Sequence, residues 1–245
     1  MTPTATWPRS MDSTRGAGRT GRHRRDQSSP LMSRHPRAGV AQPSQPARRA
    51  GRATYLLGES YEFGLGVPRK PPRAFKLYLE AAESGYVPAM YSVGLCLLRG
   101  IGTRPNGRHA LRWLRKAAAA GNSYAMHVLG KCLRDGIGTR RQSRLGFQYL
   151  LHAARRGLLE SQFSVGYCFS KGIGTKADAE SAVRWYRKAA LRGHEDAAFN
   201  LAYCYQVGKG LRKSPRWARH WYRKAAALGA DGALERLRDL RAEDR

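Results

Sequence analysis

The sequence predicts an all-α fold: a right-handed α-solenoid of five 36-residue helical hairpins with a C-terminal capping helix, preceded by a disordered N-terminal tail. Three observations carry it. First, Gly64, Gly100, Gly136, Gly172 and Gly208 stand 36 residues apart, as do Gly66, Gly102, Gly138, Gly174 and Gly210. The same interval separates the Ala-Ala pairs that begin at Ala81, Ala117, Ala153, Ala189 and Ala225, and the glycines at 85, 121, 157, 193 and 229. Five units without an insertion or deletion are the signature of stacked structural repeats. Second, the apolar residues inside each unit recur at helical spacing. Third, the composition changes at about residue 51.

Residues 1–50 hold 6 of the 12 prolines, only 12 hydrophobic residues, and 10 basic against 2 acidic side chains. Such a segment buries too little apolar surface to offset chain entropy. It reads as a solvated tail, or as translated upstream sequence with the true start at Met11 or Met32. Arg22-His23-Arg24-Arg25 and Arg48-Arg49 also suit an arm for nucleic acid or a membrane surface, and an Arg- and Ser-rich start resembles an organellar transit peptide. The residues do not choose among these.

The repeats follow at about 53–88, 89–124, 125–160, 161–196 and 197–232. In the first half of a unit, helix A, Ala89, Val93, Gly94 and Leu97 share one face and end at Gly100 and Gly102. In the second half, helix B, Ala110, Trp113, Leu114, Ala117 and Ala118 fall at i, i+3, i+4, i+7 and i+8, as do Ala182, Trp185, Tyr186, Ala189 and Ala190. Asn106, Asp178 and Ser214 stand where an N-cap precedes helix B, with Pro215 in the first turn, and Gly121 and its equivalents supply a left-handed stop. A hairpin with two apolar stripes cannot cover both alone, so successive hairpins must stack, with the Ala and Gly columns where helices touch. Residues 233–245 begin as another helix A but carry charge on most faces, which suits a cap.

Function is bounded by charge. The 245-residue chain is 42% hydrophobic and carries a formal charge of +28. That balance is far from the usual one for a small-molecule enzyme and points to an acidic partner. No run of about 18 apolar residues is present, so no transmembrane segment is expected. The N-terminus lacks the apolar region of a secretory signal, which makes the cytoplasm the expected compartment.

The pattern Ala-x-x-x-Leu-Gly-x-x-Tyr-x-x-Gly-x-Gly-Val, followed by Lys-Ala-x-x-Trp-Tyr-x-Lys-Ala-Ala-x-x-Gly, resembles the Sel-one-like repeat, a relative of the tetratricopeptide repeat. Residues 161–193 and 197–229 match it closely, through Trp185-Tyr186-Arg187-Lys188-Ala189-Ala190 and Trp221-Tyr222-Arg223-Lys224-Ala225-Ala226. Departures include Ser161 for the first Ala, Ala202 for the helix-A Gly, Gly146 for an Ala, Lys70 and Gln142 at the N-cap, and Thr103, Thr139 and Thr175 after Gly-x-Gly. The resemblance implies a non-catalytic adaptor that binds a protein or peptide. The family's cysteine-rich branch, with its hydrolase members, is a remote alternative. That branch pairs one Cys on each helix of a repeat, whereas no repeat here has more than one.

Cys96, Cys132, Cys168 and Cys204 are 36 apart. Equivalent helices lie roughly 10 Å apart, beyond the ~7 Å Cα reach of a disulfide, so these thiols read as small packed hydrophobes. Gly100-Ile101-Gly102 ends a helix with no strand before it and no Lys-Ser/Thr after it, so it is a turn rather than a phosphate loop. The seven histidines form no His-x-x-x-His and no carboxylate-rich cluster. No catalytic residue, cofactor or metal is assigned.

Two surfaces remain as candidate sites on an expected monomer. On helix A, positions turned toward the concave side by analogy with related solenoids form a candidate groove: Tyr91, Leu95, Leu98, Lys131, Arg134, Tyr167 and Tyr203. Tyr55, Phe163 and Phe199 belong to its first column, which also reads as packing. Aromatic and apolar groups lining a groove suit a peptide or partner helix. The loop edge between helices A and B carries a basic ridge of Arg104, Arg108, Arg140, Arg141, Lys176, Arg212 and Lys213, suited to an acidic protein or, as the alternative, to nucleic acid or another anionic surface. No exposed aromatic is expected along the ridge, so base stacking has no platform there.

Overall fold

A computed structural model describes residues 44–242, which form eleven α-helices and, among the described residues, no strand. The helices are α1 (Gln45–Phe63), α2 (Pro71–Glu83), α3 (Val87–Arg99), α4 (Gly107–Ala119), α5 (Ser123–Asp135), α6 (Ser143–Arg155), α7 (Leu159–Lys171), α8 (Ala179–Leu191), α9 (Glu195–Val207), α10 (Pro215–Ala227) and α11 (Ala233–Ala242). The densest packing is between consecutive helices, from α1 on α2 to α10 on α11. Odd-numbered helices are the A helices and even-numbered ones the B helices of five hairpins, with α11 as the added cap.

The helix starts revise the repeat boundaries. A helices begin at Val87, Ser123, Leu159 and Glu195, two residues before the Ala column used to phase the repeats. Helix α1 begins at Gln45, so the residues from 45 to 50, assigned by composition to the tail, are helical. Pro46 lies in the first turn, where its missing N–H has no intrahelical partner to lose. Residues 1–43, where the rest of the expected tail falls, lie outside the described residues.

Each hairpin is closed by the same devices. The Asn106, Asp178 and Ser214 side chains accept from the backbone N–H groups of His109, Ser181 and Trp217. Lys70 and Gln142 make no such bond. At all five N-caps the backbone N–H donates back to helix A: Lys70 to Tyr61, Asn106 to Leu97, Gln142 to Leu133, Asp178 to Phe169 and Ser214 to Tyr205, at 2.7–2.9 Å. That bond fixes the length of the A–B loop, which is why no insertion breaks the period.

The second glycine of Gly-x-Gly locks one repeat to the one before. A Cβ at Gly102 would stand 2.1 Å from the Pro71 carbonyl oxygen at the start of α2. Equivalent atoms would meet Gly107 O at 2.5 Å from Gly138, Ser143 O at 2.1 Å from Gly174 and Ala179 O at 2.3 Å from Gly210. All four also have φ near +70°, a conformation that a side chain disfavours. In the first repeat Gly66 has the same φ, but none of the described atoms lies within 4 Å of the point where a Cβ would stand.

The buried face follows the predicted columns. Val93, Leu129, Val165 and Leu201 are each 0% exposed on the A helices, whereas their first-repeat equivalent, Leu57, is 43% exposed. Tyr78, Leu114, Leu150, Tyr186 and Tyr222 fill the matching B-helix column, all at or near full burial. The four cysteines are buried and free. Burial pushes the Cys96 and Cys132 thiols up to about 12 and about 11 and raises Cys168 and Cys204 as well, so they sit far from the thiolate form that reactive chemistry needs. At the C-terminus α11 lays Ala233, Leu237 and Leu240 toward α10.

Candidate functional site

The seven groove residues separate into packing groups and exposed groups. In the first column Tyr55 lies 5.3 Å from Tyr78, Phe163 lies 6.0 Å from Tyr186 and Phe199 lies 5.2 Å from Tyr222, ring centre to ring centre. Tyr91 is half-buried, 6.2 Å from Tyr124. The first three pairs close hairpins, and Tyr91 bridges the second repeat to the third.

The third column is also internal. Where helix B carries a buried Tyr, this column supplies a polar partner: Tyr78 donates to Glu62 at 2.6 Å and Tyr222 to Gln206 at 2.8 Å. At Tyr186 the equivalent residue is Ser170, whose hydroxyl donates to the phenol oxygen. Where helix B carries Leu114 or Leu150, the equivalent positions are Leu98 and Arg134, both half-buried. Arg134 grips the Asp135 carboxylate with two N–H groups at 2.7 and 2.8 Å, an arrangement that raises its pKa further.

The second column reaches solvent. Leu95 and Lys131 are half-buried, and Tyr167 and Tyr203 are 36% and 42% exposed. Lys131 is held below its ordinary value, first by burial and then by Arg134. Tyr167 on α7 and Tyr203 on α9 hold equivalent places in adjacent repeats, so they form a pair of neighbouring aromatic handles.

One polar pair interrupts the first column, and sequence reasoning did not single it out. His127 stands where the other repeats have Tyr or Phe, and Ser161 where they have Ala; its hydroxyl is 2.8 Å from His127 Nδ1. Both departures were visible as column breaks, but only the fold pairs residue i with residue i+34. Burial pushes His127 down to about 4, with Lys131 and Arg134 adding to the effect. Ser161 is 0% exposed, so the pair offers no nucleophile to solvent.

The ridge residues Arg104, Arg108, Arg140, Arg141, Lys176, Arg212 and Lys213 are all exposed. Their loops are in register because each Gly-x-Gly abuts the preceding helix B, and Lys209 Nζ reaches the Ser170 carbonyl across the step between two repeats. The expectation that no exposed aromatic stands on the ridge is overturned. Trp217 is 48% exposed and shares a cleft with Tyr205, Arg212, Lys213, Arg216 and Arg219. It sits one residue beyond Arg216 in the sequence, outside the helix-B column of Trp113, Trp185 and Trp221. Among the described residues, no group of three or more His, Cys, Asp or Glu side chains could hold a metal ion, and no helix is long and apolar enough to cross a membrane.

The Sel1 repeat model matches residues 51–86, 87–122, 123–158, 159–194 and 195–229, its second to fifth units beginning where α3, α5, α7 and α9 begin. Among solved structures, a Sel1 repeat protein from Oxalobacter formigenes is similar at 31% identity and a TM-score of 0.73, covering 79% of this chain and 77% of that one. The protective antigen c5321 of uropathogenic Escherichia coli, which has an SLR fold, matches at 28% identity and a TM-score of 0.74 over 78% of this chain. The match spans 41% of the antigen's length. A putative Sel1 repeat protein from Klebsiella pneumoniae matches at 20% identity and a TM-score of 0.51, a likeness of fold alone. No curated protein matches the chain significantly.

Proposed function

The chain belongs to the Sel1 repeat family, and from that premise we propose that it is a non-catalytic scaffold whose groove holds a peptide or partner protein, with the basic ridge attracting an acidic partner. Sel1 repeat proteins generally mediate protein–protein interaction. The observation that carries the reading is the exposure of Tyr167 and Tyr203 at equivalent places in adjacent repeats. An exposed tyrosine supplies a rigid contact at low entropic cost, and such residues recur as interface anchors. Leu95 and Lys131 extend the same column into the second and third repeats. Ridge charges act at longer range and set the rate of encounter.

Affinity capture with the full chain, run at low and high salt, identifies the partner, after which two variants separate the surfaces. Alanine at Tyr167 and Tyr203 should raise the dissociation rate with helicity retained, at about 1–2 kcal/mol each. Glutamate at Arg104, Arg140 and Arg141 should slow association and flatten its salt dependence. A partner whose kinetics respond to neither variant defeats the proposal.

A further inference from the structure

We infer that the corner between α9 and α10 is a binding cleft for single-stranded nucleic acid, in which Trp217 stacks on a base and Arg212, Lys213 and Arg216 hold the phosphates. This cleft is separate from the tyrosine groove and does not depend on the scaffold reading. Its open volume is about 690 Å³, and the lining is Tyr205, Ser214, Pro215, Trp217 and the cations Arg212, Lys213, Arg216 and Arg219, with no acidic side chain. The first turn of α10 likewise carries no acid. Among the described residues Arg212, Lys213 and Arg216 make no ion pair.

The aromatic wall is what separates this corner from the rest of the ridge. The Tyr205 and Trp217 rings lie within 27° of parallel, with centres 6.1 Å apart, and His220 meets the indole edge-on at 5.3 Å. The Tyr205 hydroxyl accepts from Arg187 at 3.1 Å. The indole is therefore supported on its inner side while nearly half of it faces solvent. The same corner of the first repeat is filled instead, because Arg73 stands where Trp217 does and stacks on Tyr61 at 4.5 Å. The second to fourth repeats have His109, Leu145 and Ser181 at that position.

Each part of the cleft has a use for such a ligand. Cations beside an exposed ring are the arrangement by which proteins grip single strands, with phosphates on the charges and bases on the π-face. An acidic peptide or a lipid headgroup would satisfy the charges and leave the indole wet. A duplex keeps its bases stacked on one another and away from the ring. The in-register loops bearing Lys176, Arg140 and Arg141 continue the positive edge away from the cleft, so a strand seated at Trp217 has a path along the preceding repeats.

The experiment is fluorescence anisotropy of the full chain with a labelled single-stranded oligonucleotide of about 12 residues, at about 0.15 M salt. The comparison ligands are an abasic strand of the same length and polyglutamate. Removing the bases, or changing Trp217→Ala, should weaken binding by at least about fivefold, the low end for loss of one stacked base. Trp217→Phe should retain most of the affinity, and Trp217→Ala should leave abasic binding unchanged. Arg212→Gln with Arg216→Gln should weaken both strands. Circular dichroism melts show whether each variant is folded; the exposed Trp217 is chosen so that they are. Equal affinity for normal and abasic strands, equal affinity for polyglutamate, or indifference to Trp217→Ala would mean that only net charge is recognised, and would overturn the inference.

Discussion

Gly102→Ala and Gly66→Ala place the same methyl group at equivalent points of two loops whose backbones match, with φ of +69° and +70°. Left-handed backbone penalises a Cβ by roughly 1–2 kcal/mol at either position. At Gly66 that is the whole expected cost, because the added carbon meets none of the described atoms within 4 Å. At Gly102 it would lie 2.1 Å from Pro71 O and 2.5 Å from Pro71 C. Those atoms belong to backbone at the head of α2 and cannot swing away as a side chain can. The loop and the preceding helix must separate by about 1 Å, and overpacking of that kind typically costs about 1–3 kcal/mol more. The pair should therefore differ by about 2 kcal/mol, which for a domain of this size is roughly 4–8 °C in melting temperature. Urea titration and thermal melts followed by circular dichroism measure both values. Equal losses would refute the inter-repeat lock, and a larger loss at Gly66 would reverse it.

Three other outcomes follow from the packing. His127 is held down at about 4 by burial, so the unfolded chain, near 6.5, binds a proton that the folded chain refuses. Its contribution is full above about pH 6.5 and is lost as pH falls toward 4, by at most about 3 kcal/mol. The double variant His127→Phe with Ser161→Ala restores the aromatic-against-Ala pairing of the other repeats and should flatten that part of the pH profile; an unchanged slope in urea melts from pH 7 to 4 would count against it. Cys168→Ser puts a hydroxyl at a 0%-exposed position and should cost about 1–3 kcal/mol without changing metal content by mass spectrometry; loss of a stoichiometric metal would contradict the packing role. Asp178→Ala removes the cap bond to the Ser181 N–H and should cost about 1 kcal/mol, whereas Gln142→Ala, at a position with no cap bond, should cost far less.

The repeat architecture was legible because its determinants are local and recur. Glycines at helix ends, caps at Asn106, Asp178 and Ser214, and the Ala columns act within one unit, so five copies average out the exceptions. The start of α1 was not legible, because Pro46 counts toward disorder in a composition tally although a first-turn proline suits a helix. The groove was readable only in part. Exposure of Tyr167 follows from its angular position, but the internal role of the third column depends on which B-helix residue faces it, Tyr78 opposite Glu62 and Leu114 opposite Leu98. The Trp217 cleft escaped because the column rule assigns tryptophan to the helix-B stripe, and a residue with no counterpart in the other repeats carries no periodic signal.

Among the described residues, the unfilled step at Gly66 and the 43%-exposed Leu57 give the array a direction. At its other extremity α11 has already taken the seat on α10, and its outward side carries Arg236 facing Asp239 at 3.6 Å beside the exposed Leu234. Among the described residues the stack therefore ends in two unlike faces, one with an unfilled step and one covered by α11. Another 36-residue hairpin joined upstream would find backbone, glycine and leucine already shaped to receive a helix B, without a single change in the existing units. Joined downstream, it would first have to displace α11. A hairpin added ahead of α1 would extend the groove and ridge away from the fifth repeat while leaving the Trp217 cleft and α11 untouched.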